Sequence, residues 1–249
     1  TSASFLTGGR GGNSTLAGGD GGGAAGLVTS HVTPTWSSNS ATSVQGGVGG
    51  NALVPNLPGL GAPAIGLAFD RAQSGSSSLD QASFIASGAA GTGNPRPPSY
   101  SVGMYFLGAP TERTVLSVVN GTLSNVGSYA LYVDNYSRVT TVNTTFAWTQ
   151  VRVQPAGNLS VRNFLAVQVR WPNNVTFVAG STIKVQDNDA TAWNVTSASG
   201  QAVWLLVTNR VYVDSSVPSV NTTRVTVTFP AYSFALDPRN VNMSASHTE

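Results

Sequence analysis

The chain has 249 residues, 41% hydrophobic and only 9% charged, and its 12 basic and 10 acidic residues leave a net charge of +2. That balance gives no electrostatic footprint for nucleic acid, and the eleven Arg and one Lys are scattered singly, with no patch to hold a membrane surface. The absence of cysteine excludes disulfides, thiolate metal sites and a Cys nucleophile.

Apolar runs such as Phe164–Val167 and Ala202–Val207 fall far short of the ~20 residues of a membrane helix, so no membrane span is expected. A chain that opens at Thr1 without a charged and apolar leader reads as a processed mature chain or a fragment. The composition then changes along the chain. Residues 1–108 hold 23 of the 28 glycines, whereas valine is concentrated from Val115 onward. Glycine loses the most backbone entropy on ordering, so residues 1–98 are expected to be an extended or linker-like segment that docks between subunits. Within it, residues 52–70 and 79–90 carry enough Leu, Ile, Phe and Ala to dock as short strands or a turn of helix, and Ser76–Ile85 reads as the one helical stretch. Gly91–Pro98 closes the segment as a linker.

Residues 99–249 read as a Val/Thr-rich β domain. Short alternations recur at Val115–Val119, Tyr129–Val133, Arg138–Val142, Val151–Val153, Leu159–Val161, Leu165–Val169, Val175–Val178, Ile183–Val185, Ala202–Val207, Arg210–Val213 and Arg224–Phe229. They place Val, Leu and Ile on one face and Thr, Arg, Ser and Gln on the other. The expected class is all-β, either a parallel β-helix-like domain or an antiparallel β-sandwich or jelly roll. An internal repeat supports the first: Val151–Asn163 lies over Val175–Asn188, and Asn120 precedes Asn143 by 23 residues. A coil of three short strands needs about that length, and stacked Asn side chains at its turns can bond between rungs.

The runs Val178–Asn188 and Thr196–Leu205 resemble repeats of secreted surface β-helix proteins, the nearest being the dispersed gene family of trypanosomatid surface glycoproteins. The resemblance covers residues 114–216. It implies a surface or adhesive role and carries no catalytic residues.

The most frequent motif is Asn-x-Ser/Thr, at Asn13, Asn120, Asn135, Asn143, Asn158, Asn174, Asn194, Asn221 and Asn242. These are acceptors for covalent N-glycans, which would hydrate a surface that has few charges. Asp187 and Asp189 offer oxygens for Ca²⁺ on a turn, without the sixth-position Gly and distal Glu of a calcium loop, so no resident cofactor or metal is expected. The motif Gly21–Gly26 matches a dinucleotide fingerprint, but no strand precedes it. Catalysis has little material: two histidines, His31 and His247, two glutamates, Glu112 and Glu249, and no G-x-S-x-G elbow. Trp148, Trp171, Trp193 and Trp204 suit sugar stacking or core packing, and alternation assigns Trp193 and Trp204 to the core. The expected function is that of a secreted, glycosylated structural subunit at the cell surface that polymerises with copies of itself. The alternatives are an adhesin or carbohydrate-binding ectodomain and, third, a polysaccharide-degrading enzyme.

Overall fold

The computed structural model describes residues 5–7, 24–31, 35–37, 43–45, 64–72, 75–78, 84–86, 101–123, 128–173, 175–188, 190–197, 201–214, 216–230, 232, 238–245 and 247–248. The described residues are all-β, with 21 strands, one 3₁₀ turn at Trp148–Gln150 and no α-helix. The chain divides into two compact units, residues 1–159 with 212–217, and residues 160–211 with 218–249.

In the first unit the strands join three sheets in rotation. One sheet runs β1 (Phe5–Thr7), β4 (Ser43–Gln45), β7 (Phe84–Ala86), β10 (Thr122–Leu123). The second runs β2 (Ala24–Ser30), β5 (Ala64–Asp70), β8 (Ser101–Leu107), β11 (Tyr129–Val133), β13 (Val151–Val153). The third contains β3 (Thr35–Ser37), β6 (Gly75–Ser78), β9 (Val115–Val119) and β12 (Arg138–Val142). Every one of these pairings is parallel. Parallel neighbours need a long return path, and as far as β12 that path is the pair of strands contributed to the other two sheets; between β11 and β13 it is β12 and the 3₁₀ turn.

The step contracts along the chain. In the second sheet Leu67 stands 40 residues after its partner Leu27, Met104 37 after Leu67, Leu131 27 after Met104 and Val151 20 after Leu131. Side chains alternate as the strands require: Leu116 and Val118 on β9, and Val139 on β12, are buried between exposed or half-buried neighbours. Phe69 and Phe106 stack with their ring centres 5.3 Å apart, and Leu67, Met104 and Leu131, successive register partners in the same sheet, are fully buried. Corners fall where a residue adopts positive φ, at His31, Arg71, Asn120, Tyr136, Asn143 and Ala156. Asn is among the side chains that tolerate this region best.

In the second unit β14 (Asn158–Val167, which opens in the first unit), β17 (Val203–Val213, whose last two residues belong to the first unit) and β18 (Ser219–Val220) are successive neighbours. The strand β21 (His247–Thr248) pairs in parallel with Leu165 and Ala166. A separate antiparallel sheet runs β16 (Ala190–Thr196), β15 (Thr182–Asp187), β19 (Thr223–Thr228), β20 (Arg239–Val241). Its core gathers Leu165, Val167, Ile183, Val185, Val207 and Val225, with Trp171 and Phe229 packed against it.

Two expectations change. Ser76–Ile85 is not helical where it is described: Ser76, Ser77 and Ser78 pair with β3 on one side and β9 on the other, and Phe84–Ala86 is a strand. Ladder bonds on both edges override the weak helical propensity of a serine-led segment. The repeat drawn between Val151 and Val175 is not a second turn of the same ladder. Asn173 Oδ1 accepts from the backbone of Val175 and Thr176, Trp171 N donates to Thr176 O, and the chain reverses. Val175–Val178 is therefore not a strand of that ladder: Phe177 forms an isolated antiparallel bridge with Arg170 across a turn at Pro172 and Asn173, and β15 beyond it pairs antiparallel.

Candidate functional site

The corners of the first unit gather polar side chains that lie far apart in sequence. Asn120 and Asn143 occupy equivalent corners after β9 and β12, and the Asn143 amide donates to Asn120 Oδ1 at 2.9 Å. Both are half-buried. The corner after β2 and β5 carries charge instead. Arg71 Nε donates to Asp70 Oδ1 at 2.9 Å, Arg71 Nη1 stands 3.6 Å from Glu112 Oε2, and His31 Nε2 stands 3.2 Å from the same oxygen. Ser30 Oγ donates to Asp70 Oδ2 at 2.7 Å and lies 2.8 Å from His31 Nδ1.

Burial raises the Asp70 carboxyl, but the hydrogen bonds from Ser30 and Arg71 and the nearby cations outweigh it and hold the group below its ordinary range. Ser30, His31 and Glu112 have the composition of a hydrolase triad. Their geometry is that of an ion network, because Ser30 gives its proton to the Asp70 carboxylate and both imidazole nitrogens face oxygen acceptors. The strand-end dipeptides Ser30-His31 and Asp70-Arg71 are offset by 40 residues, as are the partners Leu27 and Leu67 on the same strands. That shared offset is the sequence signal that sequence reading missed.

The outer face of the second sheet is aromatic. Tyr105 on β8 is the ladder partner of Tyr132 on β11, and their rings meet edge to face at 5.0 Å. Tyr129 meets Tyr132 at 5.7 Å. Tyr105 donates to Asp134 Oδ2 at 3.2 Å, and Gln154 Nε2 donates to the Tyr132 hydroxyl at 2.6 Å. Burial raises the Tyr132 hydroxyl above its ordinary value, so it stays neutral across the physiological range.

The nine sequons fall into distinct environments. Asn135, Asn194 and Asn242 are exposed. Asn120, Asn143, Asn158 and Asn221 are half-buried, and Asn221 Oδ1 accepts from Asn188 at 2.9 Å. Asn13 and Asn174 lie outside the described residues, as does Asp189. Asp187 is half-buried and already engaged: Oδ2 accepts from Thr208 N at 3.4 Å and Oδ1 from Thr223 Oγ1 at 3.3 Å. Desolvation raises its carboxyl despite these bonds and the charge of Arg162. Among the described residues no three His, Cys, Asp or Glu side chains gather around a point where a metal could sit.

The tryptophans divide. Trp171 packs on Phe229 at 6.0 Å and on Tyr232 at 5.1 Å, and Trp148 on Phe146 at 4.9 Å. Trp204 is not in the core: it is 66% exposed and meets Phe164 edge to face, because β17 buries Leu205 and Val207 and turns Trp204, Leu206 and Thr208 away from them. Trp193 is 37% exposed, and its indole donates to Leu206 O at 2.9 Å. Comparison with family models, curated proteins and solved structures returned no match.

Proposed function

We propose that the first unit is a three-sided parallel β-helix and that the chain is an extracellular, N-glycosylated structural protein that assembles with copies of itself. One observation carries the assembly. The three parallel ladders end at β1, β2 and β3, each of which has a single neighbour among the described residues. The edge of a parallel strand is a row of backbone donors and acceptors, and strand addition is the interaction that such a row favours. The three-strand step through the sheets and the bonded Asn corners support the β-helix reading.

Exposed sequons supply the rest. Glycans at Asn135, Asn194 and Asn242 would hydrate a surface with 9% charged residues and keep faces other than the ladder ends apart. Electron microscopy of native material tests the assembly, with ordered filaments or lattices expected; a strictly monomeric protein at millimolar concentration overturns it. Glycopeptide mass spectrometry tests the surface, with occupancy expected at the three exposed sites and an unmodified native mass counting against it. A second reading, a carbohydrate-binding ectodomain, is favoured by the clustered rings of Tyr105, Tyr129 and Tyr132 on one face beside Asp134 and Gln154.

A further inference from the structure

The outer face of the third sheet holds a groove of about 360 Å³ between β9, β12 and the start of β14. That volume is at the small end of the ~300–1,000 Å³ typical of small-molecule sites. Its walls follow from the ladder: Val115 pairs with Arg138 and Ser117 with Thr140, so each pair presents two side chains about one strand spacing, ~4.8 Å, apart. Asn158 closes one side, and Leu116 and Val139, whose side chains are buried, belong to its floor.

Among the described residues the polar side chains here have no partner. The Arg138 guanidinium is exposed and makes no ion pair or hydrogen bond with any described residue, and the hydroxyls of Ser117 and Thr140 and the side-chain amide of Asn158 are likewise free of described partners. No carboxylate lines the groove. This contrasts with the corner where Arg71 is held by Asp70 and Glu112.

We infer that the groove binds an acidic saccharide, a uronic acid residue or its oligomer. The planar guanidinium of Arg138 matches a carboxylate with two parallel N–H bonds. Adjacent hydroxyls on neighbouring strands suit the vicinal hydroxyls of a pyranose, and the methyls of Val115 suit its C–H face. The Asn158 amide both donates and accepts, as a sugar hydroxyl requires. The inference does not depend on whether the chain polymerises.

Calorimetric titration of the native full chain with a uronic acid disaccharide, its neutral counterpart of the same linkage, and inorganic sulfate tests it. The acidic disaccharide is expected to bind at least about tenfold more tightly than the neutral one, since bonds to a charged group are the stronger ones. Arg138→Gln should weaken binding by a similar factor and Arg138→Lys by less, whereas Arg113→Gln, an exposed arginine that does not line the groove, should change nothing. Unchanged far-ultraviolet dichroism establishes that each variant is folded. Equal binding of the neutral sugar, or Arg138→Gln without effect, overturns the proposal. So does competition by sulfate at the same concentration as the saccharide, which marks a general anion site, or a glycan on Asn158 that abolishes binding.

Discussion

Asn143 combines two demands that few residues meet: a backbone φ of 48° and an amide that reaches Asn120 at 2.9 Å. Alanine there loses the hydrogen bond and strains the backbone, so Asn143→Ala is expected to cost about 1–3 kcal/mol in urea unfolding. Asn143→Gly keeps the conformation and should cost less than alanine; equal costs would show that the amide bond, not the backbone, dominates. Charge at the corners responds to pH in two directions. Asp70 titrates below its ordinary value of 3.8, so its ionised form contributes stability at neutral pH that is lost as the pH falls through its folded pKa. Asp187 titrates above 3.8, so its ionised form opposes folding and protonation relieves that penalty as the pH falls. Thermal midpoints measured from neutral pH to about pH 3 should therefore fall less steeply for Asp70→Asn, and more steeply for Asp187→Asn, than for the unmodified protein. Parallel curves for all three would remove both assignments.

At the level of elements, the edge of β17 ahead of its ladder with β18 is covered by two side chains and one backbone N–H. Between Leu206 and Asn209 three groups are taken up: Leu206 O by the Trp193 indole at 2.9 Å, Thr208 N by Asp187 at 3.4 Å, and Asn209 O by Asn221 N at 2.8 Å. Edge strands left open recruit other chains, and this arrangement closes one. Trp193→Phe keeps the ring and removes the donor, so a loss of about 1 kcal/mol is expected, together with faster aggregation on dilution from denaturant. Unchanged stability and refolding yield would mean that Leu206 O is satisfied by solvent. This arrangement was not legible in the sequence, because alternation alone placed Trp193 and Trp204 in the core and β16 was not foreseen as a strand. The valine-rich strands β9, β11, β12 and β13 were legible with their ends, since each alternates buried residues with exposed or half-buried ones over part of its length. The 23-residue interval from Asn120 to Asn143 was legible too, and it is also the register step from Val115 to Arg138. Earlier steps were hidden because they are longer and unequal, and the Gly-rich chain that lengthens them has no apolar period. The Arg138 groove was hidden for a different reason. Its residues come from three strands and form no motif, and an arginine beside a strand reads as solvent face.

Taken whole, the chain holds two separately compact units with different ways of stabilising strands. The first depends on register up the parallel ladder, and it has places with no slack. A Cβ on Gly108 would lie 2.8 Å from the backbone carbonyl of Tyr136 and 2.9 Å from Asn135 O, so Gly108→Ala must move a corner and should destabilise the first unit. The second depends on an antiparallel sheet over a single aliphatic core in which Ile183 is fully buried. Replacing Ile183 by Ala removes buried methylenes and leaves a cavity, at a cost of about 2–5 kcal/mol. Where each unit has its own core, local opening is expected to follow unit boundaries. Hydrogen exchange of Ile183→Ala should therefore lose protection across β15, β16 and β19 while amides of β8, β11 and β12 keep theirs, and Gly108→Ala should give the opposite pattern. Equal loss across both sets in either variant would show that the strands open as one cooperative body. The result would also locate the part of the chain that must stay folded for the Arg138 groove to persist. That groove is built on β9 and β12, so its ligand should raise protection in the first unit and leave the second unchanged.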